Sequence, residues 1–209
     1  MAPTPHHYET AFERYLRARR IPYVSVDEAR KALLPTDHAF RVHCESAAPG
    51  TSPASHSLKS FDYVIYGAGA NLLVEVKGRK VGRARGSPGS GAYRSRLQSW
   101  VGLDDVESLK VWQQLFGPQF RACFVFIYWC EEQTPDGLFQ EVFIQDGCWY
   151  AVRAVMLDDY ARAMKIRSPR WRTVHVRTDD FERISHPLTP ALEQSAESPP
   201  GCEPVFASP

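Results

Sequence analysis

The chain contains 209 residues, of which 44% are hydrophobic and 23% charged, and its formal net charge is +1. This composition is typical of a globular and not of a disordered protein, and the length suffices for one domain with a sizeable core. The longest apolar run, at 123–129, is far too short to cross a bilayer, so we expect no membrane association. The first residues contain no apolar signal segment, and we therefore expect a cytoplasmic protein.

Hydrophobic spacing predicts both helices and strands in the first half of the chain. The helices are expected at 7–20 and 27–34, and the strands at 21–26, 39–44, 58–66 and 71–77. Residues 47–57 are rich in Pro, Gly and Ser, which predicts a loop. The last two strands flank the sequence GAGA, so we expect them to form a β-hairpin.

The second half begins with a basic loop, expected from Gly78 to Gly91. Beyond it, apolar spacing predicts helices at 104–116 and 157–165 and strands at 121–129, 139–144, 148–153 and 171–177. Asp104 and Glu107 have the spacing of a capping box at the start of the first of these helices.

These elements predict a mixed α/β domain with a β-rich C-terminal portion. We expect a single domain over residues 1–186. Residues 187–209 are rich in Pro, Ser and Glu, which predicts a disordered tail.

The predicted hairpin carries opposite charges inside a strand. If GAGA forms a four-residue loop, Asp62 lies directly opposite Glu75. Since side chains alternate along a strand, Glu75 and Lys77 share one face. The other face is apolar and is expected to pack in the core through Leu72, Val74 and Val76.

Two carboxylates opposed across a sheet repel each other, and a divalent cation between them removes that repulsion. Carboxylate oxygens suit Mg²⁺ or Mn²⁺, which also take waters and substrate phosphate oxygens as ligands. Lys77, beside such an ion, could orient an attacking water or help to deprotonate it. These residues predict metal-assisted hydrolysis of a phosphodiester. The alternative is a solvated ion pair between Glu75 and Lys77.

Positive charge is concentrated next to this hairpin. From Lys77 to Arg96 there are seven Lys and Arg residues and no Asp or Glu, so the remainder of the chain carries a net charge of −6. A local basic segment attracts a polyanion whatever the net charge of the whole protein. The residues expected to contact nucleic-acid phosphates are Arg79, Lys80, Arg83, Arg85, Arg94 and Arg96. The alternative is a solvated loop that only keeps the protein soluble.

The order Phe61-Asp62, hairpin, Glu75-Val76-Lys77 resembles the signature of the PD-(D/E)XK nuclease superfamily. Phe61 stands where that signature has proline. The resemblance covers the core from about residue 6 to residue 130. It implies a restriction-endonuclease-like core of helix, mixed β-sheet with the motif hairpin, helix and strand.

This resemblance also assigns roles to residues. It implies that Asp62, Glu75 and the main-chain carbonyl of Val76 bind Mg²⁺ or Mn²⁺, and that Lys77 is catalytic. In many such nucleases a glutamate of the first helix reaches the metal site, and Glu9 is the candidate here.

The first helix contains a second motif and a second glutamate. HYETAFE at 7–13 resembles the motif that names the HYExAFE family, whose activity is not established. Glu9 borders the apolar stripe of the helix, whereas Glu13 has Arg17 four residues further on and is interpreted as a surface ion pair. The alternative for Glu9 is the edge of an ordinary amphipathic helix.

The sequence therefore predicts a Mg²⁺-dependent nuclease that acts on DNA rather than RNA. A non-catalytic nucleic-acid-binding module on the same fold is the alternative. A third hypothesis, a protein-binding domain, predicts an exposed apolar patch in the second half. Four tryptophans are interpreted as core or half-buried residues and not as base-stacking platforms: Trp112, Trp129, Trp149 and Trp171.

Overall fold

The computed structural model describes residues 7–33, 41–44, 54–81, 97–130 and 140–193. The helices in these ranges are α1 (His7–Ala18), α2 (Val26–Leu33), α3 (Leu103–Phe116), α4 (Leu157–Ala163), α5 (Thr178–Ile184) and α6 (Leu188–Glu193). The strands are β1 (Tyr23–Ser25), β2 (Arg41–Cys44), β3 (Ala54–Ser57), β4 (Tyr63–Tyr66), β5 (Asn71–Val81), β6 (Val101–Gly102), β7 (Phe120–Cys130), β8 (Val142–Gln145), β9 (Cys148–Met156), β10 (Lys165–Ser168) and β11 (Thr173–His175).

A six-stranded mixed sheet forms the centre, in the order β1-β4-β5-β7-β9-β8. The long strands β5 and β7 pair in parallel, and the other neighbours in this sheet are antiparallel. A parallel pair needs a crossover connection, which α3 supplies. The predicted α/β class and the order of helix, motif hairpin, helix and strand are therefore confirmed.

Both faces of the sheet are buried. On one face, Leu72 and Val74 pack with residues of α1 and α6. On the other face, Leu73 and Phe124 pack with residues of α3, α4 and α5. Strands covered on both faces are continuously hydrophobic, which explains the apolar run of β7. Glu75 and Lys77 therefore lie at the margin of a second core and not on an open sheet surface.

Strand β5 extends further than predicted. Gly78 was expected to begin a loop, but residues 78–81 continue the strand. They do so because β7 runs beside them, with Val81 opposite Cys130. The basic residues Arg79 and Lys80 consequently belong to the sheet.

The C-terminal portion contains more helix than predicted, and its strands have different bounds. The helix expected at 157–165 ends at Ala163, and β10 begins at Lys165. The strand expected at 171–177 is reduced to β11. Helix α5 was not predicted, and β3 lies inside the expected 47–57 loop. Two short sheets complete the fold, in the orders β10-β11-β6 and β2-β3.

Helix α6 lies in the segment for which disorder was predicted. Leu188 and Leu192 are buried against α1 and the central sheet. The buried carboxylate of Glu141 accepts hydrogen bonds from the Leu188 N–H (2.5 Å) and the Thr189 hydroxyl (2.6 Å). The predicted boundary at 187 is therefore wrong, because two leucines one turn apart find an apolar site. Residues 194–209 lie outside the described ranges.

No helix in the described ranges is long and apolar enough to cross a membrane.

Candidate active site

The β4–β5 hairpin pairs in the predicted register. Tyr63 lies opposite Val74, and the Asp62 N–H donates a hydrogen bond to the Val74 carbonyl (3.0 Å). Asp62 and Glu75 are the next residues on the two strands. The charge of Asp62 raises the pKa of Glu75, so the two carboxylates lie near each other, as the loop length predicted.

Asp62 is fixed through its backbone and its side chain. Its carbonyl accepts a hydrogen bond from the Val26 N–H (2.9 Å), at the start of α2. Its Oδ2 accepts another from the Val76 N–H (2.6 Å). Strand β4 begins only at Tyr63 and supplies no backbone partner for the Val76 N–H. The Asp62 side chain accepts that hydrogen bond instead. The second carboxylate oxygen makes no hydrogen bond to any residue that the structure describes.

The Val76 carbonyl faces the same edge as Asp62. In an antiparallel ladder the N–H and C=O of one residue point to the same neighbour. Because the Val76 N–H is bonded to Asp62, the Val76 carbonyl also points to the Asp62 side of β5. One side-chain oxygen and one main-chain oxygen therefore face this edge.

Lys77 is held between two carboxylates. Its Nζ lies 2.7 Å from the Glu75 Oε1 and 2.7 Å from the Asp105 Oδ2. The other oxygen of Asp105 lies 3.0 Å from the Lys59 Nζ. Lys77 and Glu75 are only 17% and 14% exposed, so their ion pair is not the solvated pair of the alternative hypothesis.

The site disfavours negative charge on the paired carboxylates. Burial raises the pKa of Asp62, and the charges of Glu9 and Asp27 raise it further, against the effects of the Val76 N–H and Lys77. Burial likewise raises the pKa of Glu75, followed by the charge of Asp62, although Lys77 opposes this. A bound cation would relieve both unfavourable effects.

Lys77 and Asp105 form a fully charged pair. Burial works to lower the pKa of Lys77, but the charges of Glu75 and Asp105 raise it overall. Burial works to raise the pKa of Asp105, but the charges and hydrogen bonds of Lys77 and Lys59 lower it overall. Lys77 is therefore an ammonium group at neutral pH.

Glu9 approaches this site from α1. Its charge acts on Asp62, and its Oε2 is buried without a hydrogen-bond partner among the described residues. The ring of Tyr8 packs against Gly78, where an added Cβ would lie 2.2 Å from a ring carbon. Gly78 therefore lets the first turn of α1 approach β5 one residue beyond Lys77.

Glu13 has other partners on the same helix. Its carboxylate lies 3.2 Å from the Arg17 guanidinium and 3.5 Å from the Tyr63 hydroxyl. These contacts agree with its interpretation as an ion pair of the helix surface.

The donor set suits a hard divalent cation. Asp62, Glu75 and the Val76 carbonyl supply oxygen, and the buried Oε2 of Glu9 lacks a partner in the described residues. Mg²⁺ typically takes one or two carboxylates and completes its shell with water and phosphate oxygens. The described ranges contain no group of three or more His, Cys, Asp or Glu side chains placed to hold a metal. Any ion here would thus depend on water and substrate for its remaining ligands.

The predicted phosphate contacts are only partly described. The Arg79 guanidinium lies 4.0 Å from the centre of the Trp100 ring and donates to the carbonyls of Gly78 (2.7 Å) and Trp100. Burial lowers its pKa. Lys80 is exposed, with its Nζ 4.9 Å from the Trp129 ring. The remaining predicted contacts lie outside the described ranges: Arg83, Arg85, Arg94 and Arg96.

One of the four tryptophan assignments is wrong. Trp112, Trp129 and Trp149 are buried or half-buried, as predicted. Trp171 is 73% exposed, because it lies in the turn between β10 and β11 and not in a strand.

Sequence reasoning missed Asp105 and Lys59. The predicted capping box on Asp104 and Glu107 was out of register, since α3 begins directly after Gly102. The Asp105 carboxylate accepts the Gly102 N–H (3.3 Å) and so caps the helix while contacting Lys77. The sequence did contain a signal for this cap, because Asp105 follows Gly102 by three positions at the start of a helix.

Comparison with known proteins gives one resemblance. No family model matches the chain, and no curated protein matches it. The chain is similar to the structure of Hjc, a Holliday junction resolvase from the archaeal hyperthermophile Archaeoglobus fulgidus. The identity is 13%, over 89% of this chain and 98% of that chain, with a TM-score of 0.45. Such values leave the function to be argued from the residues of this chain.

Proposed function

We propose that this chain is a metal-dependent nuclease that hydrolyses phosphodiester bonds of nucleic acid, DNA rather than RNA. The observation that carries the proposal is the buried pair Asp62 and Glu75, both with raised pKa values, beside the Lys77 ammonium. Buried like charges destabilise a fold, and strongly perturbed carboxylates cluster at functional sites.

Asp62, Glu75 and the Val76 carbonyl would hold Mg²⁺ or Mn²⁺, which, when bound, acidifies a water ligand and stabilises negative charge on phosphate. Asp62 offers the oxygen that is not bonded to Val76, and Glu75 offers the oxygen that is not bonded to Lys77. The Val76 N–H keeps the Asp62 carboxylate in one orientation. These groups are positioned by strands, which hold geometry more rigidly than loops.

Lys77 acts in this scheme as a hydrogen-bond donor. Its raised pKa keeps it protonated, so it orients the attacking water or a phosphate oxygen instead of accepting a proton. Asp105, itself held by Lys59, is a positioning residue that keeps the ammonium beside Glu75. Glu9 is proposed as an outer ligand or water-binding residue, because its buried oxygen is free of described partners.

A non-catalytic nucleic-acid-binding module is the second candidate. Two observations favour it: no three-ligand cluster occurs in the described ranges, and Lys77 already neutralises Glu75. This candidate predicts binding that needs no metal, weakens as salt rises and survives Glu75→Ala.

The test is incubation of the purified protein with plasmid, linear duplex and single-stranded DNA, and with RNA of matched length. Each substrate is given Mg²⁺, Mn²⁺ or EDTA. Metal-dependent cutting of DNA is the expected result. Salt-sensitive binding without cutting would favour the binding module, and cutting in EDTA would contradict the metal requirement.

A further inference from the structure

A second basic segment lies far from the first in sequence. Between Tyr160 and Thr178 there are six Lys and Arg residues and no Asp or Glu. Strands β10 and β11 form an antiparallel hairpin here, which we call the basic hairpin (residues 165–175). Lys165, Arg167 and Arg170 are exposed on it, and none of the three is ion-paired with a described residue.

The turn of the basic hairpin presents Trp171 to solvent. The Trp171 side chain is 73% exposed, and the Arg170 guanidinium lies 5.5 Å from its ring. The backbone N–H of Trp171 donates a hydrogen bond to the Ser168 hydroxyl (3.3 Å), which orders the turn. Arg172 has a φ of 45°, a conformation uncommon outside glycine, and its guanidinium binds Asp104 (2.9 Å) on α3. The exposed indole is therefore held by an anchored turn.

A hollow separates Trp171 from Trp100. Its volume is about 550 Å³, and its lining is Trp100, Arg167, Ser168, Trp171 and Thr173. The Arg167 guanidinium lies 5.0 Å from the Trp100 ring. Two indoles and a cation around a cavity within the usual ~300–1,000 Å³ range suit a flat aromatic group that carries negative charge.

This hollow is connected to the candidate active site through two short sets of contacts. Arg79, two residues after Lys77 on the same face of β5, stacks on Trp100. On the other side, Lys59 binds Asp105 and also lies 3.8 Å from Asp104, the residue that anchors Arg172. These contacts link the surroundings of the hollow to the residues around Lys77.

We propose that the basic hairpin binds an unpaired nucleotide of the nucleic acid next to the cleaved bond. Its base stacks on the exposed Trp171 indole at the hollow, and Lys165, Arg167 and Arg170 contact the adjacent phosphates. The bases of an intact duplex are already stacked on each other, so an indole can receive only an unpaired base. This inference rests on the proposed function and deepens it, since it assigns the enzyme a preference for DNA with a single-stranded stretch.

The charge around the exposed apolar residues favours nucleic acid over a protein partner. Ile166 is also 72% exposed, and an apolar patch in this half is what a protein-binding domain would show. Here, however, its exposed neighbours Lys165 and Arg167 are cations, and the segment contains no acidic residue. A polyanion with aromatic bases matches both properties.

The test measures binding in EDTA, where no cutting interferes. Labelled oligonucleotides, single-stranded and duplex, are titrated with wild type, Trp171→Ala, Trp171→Phe and the control Ile144→Ala, an apolar side chain 58% exposed on β8. We expect Trp171→Ala to weaken single-strand binding about tenfold or more, which matches the loss of one stacked base. Duplex binding should change less than about threefold, Trp171→Phe should stay within about threefold of wild type, and Ile144→Ala should have no effect.

A second measurement isolates the phosphate contacts. Substituting both Arg167 and Arg170 by Gln should reduce the slope of log affinity against log salt by about 1.4 on single strands, since each lost contact accounts for about 0.7. The matched control is Lys110→Gln, an exposed cation on α3, which should leave the slope unchanged. An unchanged slope in the double variant would overturn the role of these cations.

The outcomes separate this inference from the proposed function. If wild type cuts DNA but Trp171→Ala binds single strands normally, the hairpin proposal is wrong and the nuclease proposal stands. If Trp171→Ala weakens binding to single strands and to duplex by the same factor, the contact with an unpaired base is overturned. Vesicles containing anionic phospholipid are titrated in the same way. If wild type binds them and Trp171→Ala does not, while Trp171→Ala binds DNA normally, the hairpin is assigned to membranes instead. If wild type neither binds nor cuts any nucleic acid, both proposals fail.

Discussion

Asp62 and Glu75 are a pair of carboxylates whose negative charges act against the stability of the fold. Both are largely covered by the protein, their charges interact, and the pKa of each is raised chiefly by burial. One pKa unit corresponds to about 1.4 kcal/mol between the two protonation states. The ionised pair should therefore be a measurable weakness of the metal-free protein.

The first prediction follows from this weakness. In EDTA at neutral pH, Asp62→Asn and Glu75→Gln should each raise the free energy of unfolding by about 1–3 kcal/mol, because each removes one buried charge and keeps a hydrogen-bond acceptor. Urea denaturation measures the change. Asp105→Asn is the matched control of opposite sign: its pKa is lowered by Lys77 and Lys59, so losing its charge should destabilise the protein. A destabilised Glu75→Gln would contradict the account.

The same pair sets the second prediction, a dependence on pH. The folded-state pKa values lie above the ordinary carboxyl value of about 4, so in this window the folded state holds more protons than the unfolded state. The contribution of the pair to stability in EDTA should therefore fall as the pH rises from about 4 to 7. The double variant Asp62→Asn/Glu75→Gln should lack this contribution. Identical pH profiles for wild type and double variant would refute the assignment.

Among secondary-structure elements, α1 depends on one close approach to β5. The Tyr8 ring occupies the space where a side chain on Gly78 would begin, beside Lys77. This contact places the first turn of α1, and with it Glu9, against the candidate active site.

The third prediction tests that contact. Gly78→Ala should destabilise the protein by about 1–3 kcal/mol through overpacking and should lower any nuclease activity by displacing the turn that carries Glu9. Tyr8→Ala in the same chain should relieve the clash, so the two substitutions should be non-additive in stability. Additive effects would mean that α1 is not held at this point.

Sequence patterns predicted the elements whose positions local rules determine. The four-residue loop and strand alternation were enough to place Asp62 beside Glu75, and apolar spacing located α1. The helix α6 was missed because two leucines in a Pro- and Ser-rich segment are buried only through the distant Glu141 and α1. Of the hairpin β10–β11, only β11 was expected, as part of a longer strand that included Trp171. Strand β10 was missed because it is short and mostly polar.

The candidate site was predicted only in part for the same reason. Asp62, Glu75 and Lys77 lie on one hairpin, whose geometry follows from its own residues. Asp105 reaches Lys77 only because α3, which follows β5 and precedes β7 in the chain, packs against the sheet. Such a contact depends on tertiary packing. No local pattern shows which acidic residue of a helix will face a distant lysine.

At the scale of the whole molecule, a net charge of +1 conceals two basic segments free of acidic residues, Lys77–Arg96 and Tyr160–Thr178. The first begins within the candidate catalytic strand β5, and contacts through Trp100 and Asp104 lead from the second towards that strand. The carboxylates and these cations together suit hydrolysis of a polyanion, which is the central claim.

The most direct measurement of that claim is the initial rate of DNA cleavage in Mg²⁺ by Lys77→Ala and Asp62→Asn relative to wild type. Both variants should be slower by at least about 100-fold, because Lys77→Ala loses the ammonium that donates to water or phosphate and Asp62→Asn loses a carboxylate that would hold the metal. The exposed controls Lys110→Ala and Asp146→Asn should stay within about twofold of wild type. Cutting at the wild-type rate by either site variant would contradict the account.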